Sequence, residues 1–160
     1  MRYRILVLSS DELYRRAVGL SLRQLNEDVL FAENIGQAAD MTEQALPTLL
    51  ITDYSIAGAG DGMEFAQAMH ERFPQLQCIV TGDADLAACM TLVRSLPWLQ
   101  VFQRPFSMVG FMTSVIRALE RPAVEPRTAS EDSQPRLAVV PFPKRSLHAH
   151  PGAIRPAAAN

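Results

Sequence analysis

The chain has 160 residues, 48% of them hydrophobic and 20% charged, with a net charge of −2, which suits one domain with a real core and room for an appendage. No apolar stretch approaches the roughly 20 residues that a membrane-spanning helix needs. The N-terminus Met1-Arg2-Tyr3-Arg4 runs straight into a short strand rather than a signal-peptide core, so a cytoplasmic location is the default expectation. Charge is unevenly divided: residues 1–120 hold 9 Arg against 14 Asp and Glu, and residues 121–160 hold 6 Lys and Arg against 3 acids. The body is acidic, the tail basic, and Lys144 in the tail is the one lysine of the chain. Two cysteines, Cys78 and Cys89, are too few for a disulfide framework and read as small buried hydrophobes.

In chain order, short apolar runs alternate with amphipathic segments from Arg4 to Glu120, the pattern of βα units wound around a parallel sheet. Strands are predicted over 4–8, 29–32, 49–52, 77–80 and 100–102, and helices over 12–25, 36–45, 63–72, 85–96 and 107–120. The central strands lack polar alternation, as strands covered on both faces should. The helices repeat apolar residues at three- and four-residue spacing, as in Phe65, Ala66, Met69 and Phe73. Pro74, Pro97 and Pro122 lie just past predicted helix ends. The methionines sit at helical spacings and read as core filler. Trp98 lies in the loop before the last strand and reads as partly buried. His70, His148 and His150 have no predicted partner that suggests catalysis or metal.

After Arg121 the pattern is lost: 7 of the 11 prolines fall in the last 40 residues. A domain over 1–121 and a flexible, polyproline-like tail over 122–160 are therefore expected. The tail suits either a partner-binding segment or a plain solubilising linker, and its one apolar island, residues 137–143, is the first candidate for a short linear motif. Its basic residues are too scattered to suggest nucleic-acid binding, and its prolines exclude a helix-turn-helix there.

Right-handed crossovers place every strand's C-terminal end on one rim of the sheet. Asp53 closes the third strand and opens a loop with Gly58, Gly60 and Gly62; Thr81 and Gly82 follow the fourth, and Arg104 follows the fifth. A carboxylate, a hydroxyl and a cation converging there form a small kit for a phosphoryl group. Asp53 would be the nucleophile, Thr81 and the Gly82 backbone would hold phosphoryl oxygens, and Arg104 would balance charge. Such a site also needs a divalent metal with hard oxygen ligands.

The fragments Pro47-x-Leu-Leu-Ile-Thr-Asp53, Asp61-Gly62-Met-Glu-Phe65, Thr81-Gly82 and Arg104-Pro105-Phe106-Ser107, in this order and spacing, resemble the receiver domains of bacterial two-component response regulators across residues 3–120. Ala32-x-Asn34-x-Gly36-x-Ala38 is similar to that family's second-strand exit. The resemblance implies a five-stranded parallel sheet with helices on both faces, the flavodoxin-like receiver fold. It also implies a phosphoacceptor at Asp53, magnesium as cofactor, a histidine kinase or phosphotransfer protein as donor, and a homodimer as a frequent state.

The departures are equally specific. The acidic pair expected after the first strand is Ser9-Ser10, leaving Asp11, Asp53 and the Ser55 backbone as candidate metal ligands and any magnesium weakly held. The expected lysine is Arg104, whose planar fork is not a compact ammonium. The loop after Asp53 has one inserted residue and Ala57 in place of proline. The family's switch aromatic is Val101 here, with Phe102 on the opposite side of its strand. Asp11 and Glu12 also suit a helix N-terminus, and Arg104 suits either a phosphate clamp or a direct ion pair to Asp53.

Three functional readings follow. The first is an atypical, non-enzymatic receiver phosphorylated at Asp53 and acting by protein contact, without a DNA-binding domain. The second is a pseudo-receiver, a scaffold that never takes phosphate. The third, a small phosphatase using Asp53, is opposed by Ser55 standing where a second acid is needed.

Overall fold

A computed structural model describes residues 2–56, 62–83 and 93–121. Five strands form one parallel sheet in the order β2-β1-β3-β4-β5. They are β1 (Arg4–Leu8), β2 (Asp28–Ala32), β3 (Leu49–Asp53), β4 (Gln77–Gly82) and β5 (Leu99–Gln103). The described helices are α1 (Glu12–Leu22), α2 (Ile35–Ala45), α3 (Gly62–Arg72) and α4 (Met108–Glu120). The helix expected over 85–96, the loop around Ala57, Cys89, and the tail with its island at 137–143 lie outside the described residues.

β1, β3 and β4 are buried along nearly their whole length, which accounts for the consecutive apolar residues 5–8, 49–51 and 78–80 at their centres. Side-chain alternation splits their residues between two layers. Ile5, Val7, Leu49, Ile51 and Ile79 pack with Val18 and Leu22 of α1 and with Phe111, Val115 and Leu119 of α4. Leu6, Leu8, Leu50, Cys78 and Val80 face the other way, toward the layer of α2 and α3. The apolar repeat of each helix is thus one stripe laid on one face of the sheet.

The helix starts are capped by side chains that satisfy free backbone N–H groups. Asp11 accepts from Leu13 and Tyr14, Asn34 from Gln37, and Ser107 from Gly110. The predicted helix 12–25 is corrected at its end: α1 stops at Leu22, a 3-10 turn covers Arg23–Leu25, and Asn26 turns the chain at φ 55°. Asn is among the residues that most readily adopt this left-handed conformation. α2 ends similarly at Leu46, φ 47°, ahead of Pro47.

The strand boundaries are corrected too, in a direction that matters for function. Asp53, Thr81 and Gly82 are not loop residues after the strands but the last members of the ladders. Asp53 pairs in register with Thr81, and Gly82 with Gln103. Just past β5, the Arg104 N–H donates to the Gly82 carbonyl at 2.6 Å, and the Arg104–Pro105 peptide is cis.

Gly62, the first residue of α3, approaches this rim most closely. A Cβ there would lie 1.8 Å from the Asp53 carbonyl oxygen and 2.8 Å from Thr52 Oγ1. Backbone cannot yield as a flexible side chain can, so α3 must move. Gly62→Ala should lower the unfolding free energy by about 1–3 kcal/mol, the usual cost of overpacking; urea denaturation checks this, and an unchanged midpoint would show that α3 shifts freely.

Candidate functional site

Asp53 is 4% exposed at the end of β3. A buried carboxylate is stable only where donors replace the water it has lost, and here three side chains do so. Thr81 Oγ1 donates to Oδ1 at 2.9 Å, Arg104 Nη2 reaches the same oxygen at 3.2 Å, and the Ser9 hydroxyl donates to Oδ2. Each donor comes from a different strand end: Ser9 follows β1, Thr81 belongs to β4, and Arg104 follows β5. The parallel ladder places them side by side, and the chain reversal between β1 and β3 opens the space between them.

The other predicted site residues are placed as follows. The Gly82 carbonyl accepts the Arg104 backbone N–H. Ser10 is exposed and Ser9 wholly buried, so the two serines do not act as a pair. Asp11 caps α1, one oxygen of its carboxylate accepting the N–H groups of Leu13 and Tyr14. Ser55 stands exposed two residues past Asp53. His70 has structural partners that the sequence did not suggest. Its ring stacks on Trp98 at 4.1 Å between centroids, and its Nδ1 lies 2.8 Å from the Leu76 carbonyl. Trp98 is half-buried as expected. Cys78 is a buried apolar filler, and burial pushes its thiol well above its ordinary pKa.

Arg104 is held at two further points. Its Nε lies 3.7 Å from an Asp83 carboxylate oxygen, too long for a hydrogen bond, and its guanidinium carbon sits 5.1 Å from the centre of the Tyr14 ring. Such stacking favours a planar guanidinium over an ammonium, which accounts for arginine here. Phe102 points away into an aromatic cluster with Phe106 and Phe111.

Tyr14 is the site residue that sequence reasoning missed. Its phenol oxygen lies 2.9 Å from Thr81 Oγ1. A carboxylate can only accept, so the Thr81 proton points to Asp53 and the phenol donates to Thr81. A signal existed: Tyr14, Val18 and Leu22 share the inward face of α1, and a buried tyrosine needs a partner for its hydroxyl. Helical periodicity predicts the burial but not the partner, because β4 lies 67 residues away along the chain.

The residues around Asp53 do not fit a divalent metal. Magnesium requires several hard oxygen ligands, chiefly carboxylates. Among the described residues no group of three or more His, Cys, Asp or Glu side chains comes together. The two hydroxyls turn their protons toward Asp53, and a guanidinium already provides its positive charge.

Tyr14 supplies a direct probe of this packing. Burial above all pushes its phenol up to about 12; the Thr81 hydrogen bond is the next-largest effect and opposes it, followed by the Asp53 charge, which adds to the rise, and Arg104, which lowers it. The folded value lies above the unfolded one, so the neutral phenol stabilises the fold fully below pH 10, and this contribution fades as pH climbs from 10 to 12. Ultraviolet titration should show one tyrosine ionising near pH 12. Ionisation of every tyrosine near pH 10 in the folded protein would contradict the buried placement of Tyr14.

No protein-family model and no curated protein matches the sequence. Solved structures do match the fold. The chain is similar to a putative response regulator from Chloroflexus aurantiacus, at 18% identity and TM-score 0.67, over 76% of this chain and 100% of that one. The non-phosphorylated HemR receiver domain from Leptospira biflexa matches at 20% identity and TM-score 0.66, over 76% and 98%. A response regulator receiver domain protein from Clostridium thermocellum matches at 16% identity and TM-score 0.65, over 73% and 94%. The sheet order, the alternating helices and these neighbours together establish that the chain has the fold of a response-regulator receiver domain.

Proposed function

We propose that this protein is a receiver-type module of two-component signalling that works by protein contact, with Asp53 held as an internal counter-ion and no phosphoryl group required. One observation carries the reading: both oxygens of Asp53 are occupied by donors from within the chain, Ser9 on one and Thr81 with Arg104 on the other. A phosphoryl donor would meet a carboxylate that is already neutralised, among residues that do not fit the divalent ion that would screen the approaching charges. The donor set resembles what a bound phosphoryl group would otherwise recruit, so the rim is stabilised in one arrangement. Its partners on this reading are proteins of a signalling pathway. Among the described residues no helix is long and apolar enough to cross a membrane.

A second reading, with Asp53 as phosphoacceptor, is favoured by one feature, the convergence of Thr81 and Arg104 on Oδ1. Transfer from a histidine kinase or phosphotransfer protein would form the bond between an Asp53 oxygen and phosphorus as the phosphorus–nitrogen bond of phosphohistidine breaks. The nitrogen keeps the bonding electrons, and the product is an acyl phosphate. Thr81 and Arg104 would then turn to the phosphoryl oxygens.

Incubation with acetyl phosphate and magnesium, read by intact mass, separates the two readings. The first expects no gain of a phosphoryl group in the wild type. A gain that Asp53→Asn abolishes would overturn it in favour of the second. Ser9→Asp adds a second carboxylate beside Asp53 and should raise magnesium affinity in a calorimetric titration by about tenfold or more, the effect of one strong charge-assisted contact. Unchanged affinity would show that residue 9 does not face a space able to take a cation.

A further inference from the structure

Both oxygens of Asp53 lead into the same turn of α1. From Oδ2 the path runs to the Ser9 hydroxyl, whose oxygen accepts the Asp11 backbone N–H at 3.1 Å. Asp11 in turn caps α1, its carboxylate accepting the N–H groups of Leu13 and Tyr14 at 2.9 and 3.1 Å. From Oδ1 the path runs through the Thr81 hydroxyl to the Tyr14 phenol. The Tyr14 ring also carries the Arg104 guanidinium. Two short hydrogen-bonded chains therefore leave one carboxylate by different strands and rejoin within four residues of one helix.

Proton directions along both chains are forced. The carboxylate only accepts, so Ser9 and Thr81 must each give it their single proton. Their oxygens are then free to accept from α1, Ser9 from Asp11 and Thr81 from Tyr14. If either oxygen of Asp53 stops accepting, through amidation, protonation or esterification, the hydroxyl facing it must turn its proton elsewhere. On both routes the direction of α1 is already occupied by a donor, an N–H in one case and an O–H in the other. On the Ser9 route that donor is a backbone N–H, which cannot reverse, and on the Thr81 route the Tyr14 phenol must turn its own proton away to accept from Thr81; Ser9 and Thr81 are wholly buried, where an unmet donor is costly.

We propose that Ser9 and Tyr14 are positioning residues that tie the first turn of α1 to Asp53, so that any change in the accepting capacity of Asp53 is delivered to α1 before α4. No hydrogen bond or ion pair of the described residues joins Asp53 to α4, which makes α4 an internal reference. The proposal does not depend on whether Asp53 accepts phosphate, and its test uses no phosphoryl donor.

The experiment is amide hydrogen exchange by NMR on the full chain. The amides of Asp11, Leu13, Tyr14 and Arg15 are followed relative to those of α4 in wild type, Asp53→Asn, the Ser9→Ala/Tyr14→Phe double variant and the triple variant. Asp53→Asn should speed exchange at these four amides about fivefold over α4, the worth of roughly one hydrogen bond. In the Ser9→Ala/Tyr14→Phe background the same substitution should change them less than about twofold, since the ties are gone. Equal acceleration in both backgrounds, or none in a folded Asp53→Asn protein, would overturn the proposal. Should Asp53→Asn fail to fold, Ser9→Ala and Tyr14→Phe singly test the ties from the other end. Each should speed the first-turn amides and leave α4 unchanged, and an unaltered first turn in both would overturn it equally.

Discussion

The structure depends on the compensation of one buried charge. Asp53 is removed from water at the end of a central strand, and a carboxylate in that position is tolerated only with a cation and hydrogen-bond donors at hand. Arg104 brings the cation and Ser9 and Thr81 bring the protons. Because these arrive from three separate strands, the carboxylate also acts as a fastener across the rim of the sheet. Removing any one donor would leave the charge under-satisfied in a poorly solvated site, so the cluster stands or falls together.

A serine after β1 and an arginine after β5 belong to one electrostatic logic. A site with three carboxylates repels itself and calls for a metal. A site with one carboxylate, two hydroxyls and a guanidinium is already close to neutral. Arginine suits the second arrangement because its flat cation can lie on the Tyr14 ring while its edge meets Asp53. Ser9, Thr81, Arg104 and Tyr14 therefore act as one set around a single balance of charge.

Much of this was legible in the chain. Apolar runs at 49–51 and 78–80 located the central strands, and the three-to-four-residue apolar spacing located the helices that cover them. The rule that parallel strands point the same way put Asp53, Thr81 and Arg104 on one rim without any tertiary information. Strand ends were less legible: Thr52-Asp53 and Thr81-Gly82 look like exits into loops, yet ladder pairing with the neighbouring strand carries them one or two residues further. His70 and Trp98 could not be paired from sequence because their stacking joins the end of α3 to the loop before β5.

The sequence by itself determined the class of fold, the order of its elements and the rim on which the polar residues gather, since all of these follow from local pattern and chain direction. Only the tertiary structure decided that Ser9 turns inward while Ser10 does not, that Asp11 spends its carboxylate on a helix cap, and that Tyr14 completes the cluster from above the sheet. The reason is physical. Periodicity says which side of an element a residue faces, but the partner of a buried proton is set by how elements distant in sequence come to rest against one another.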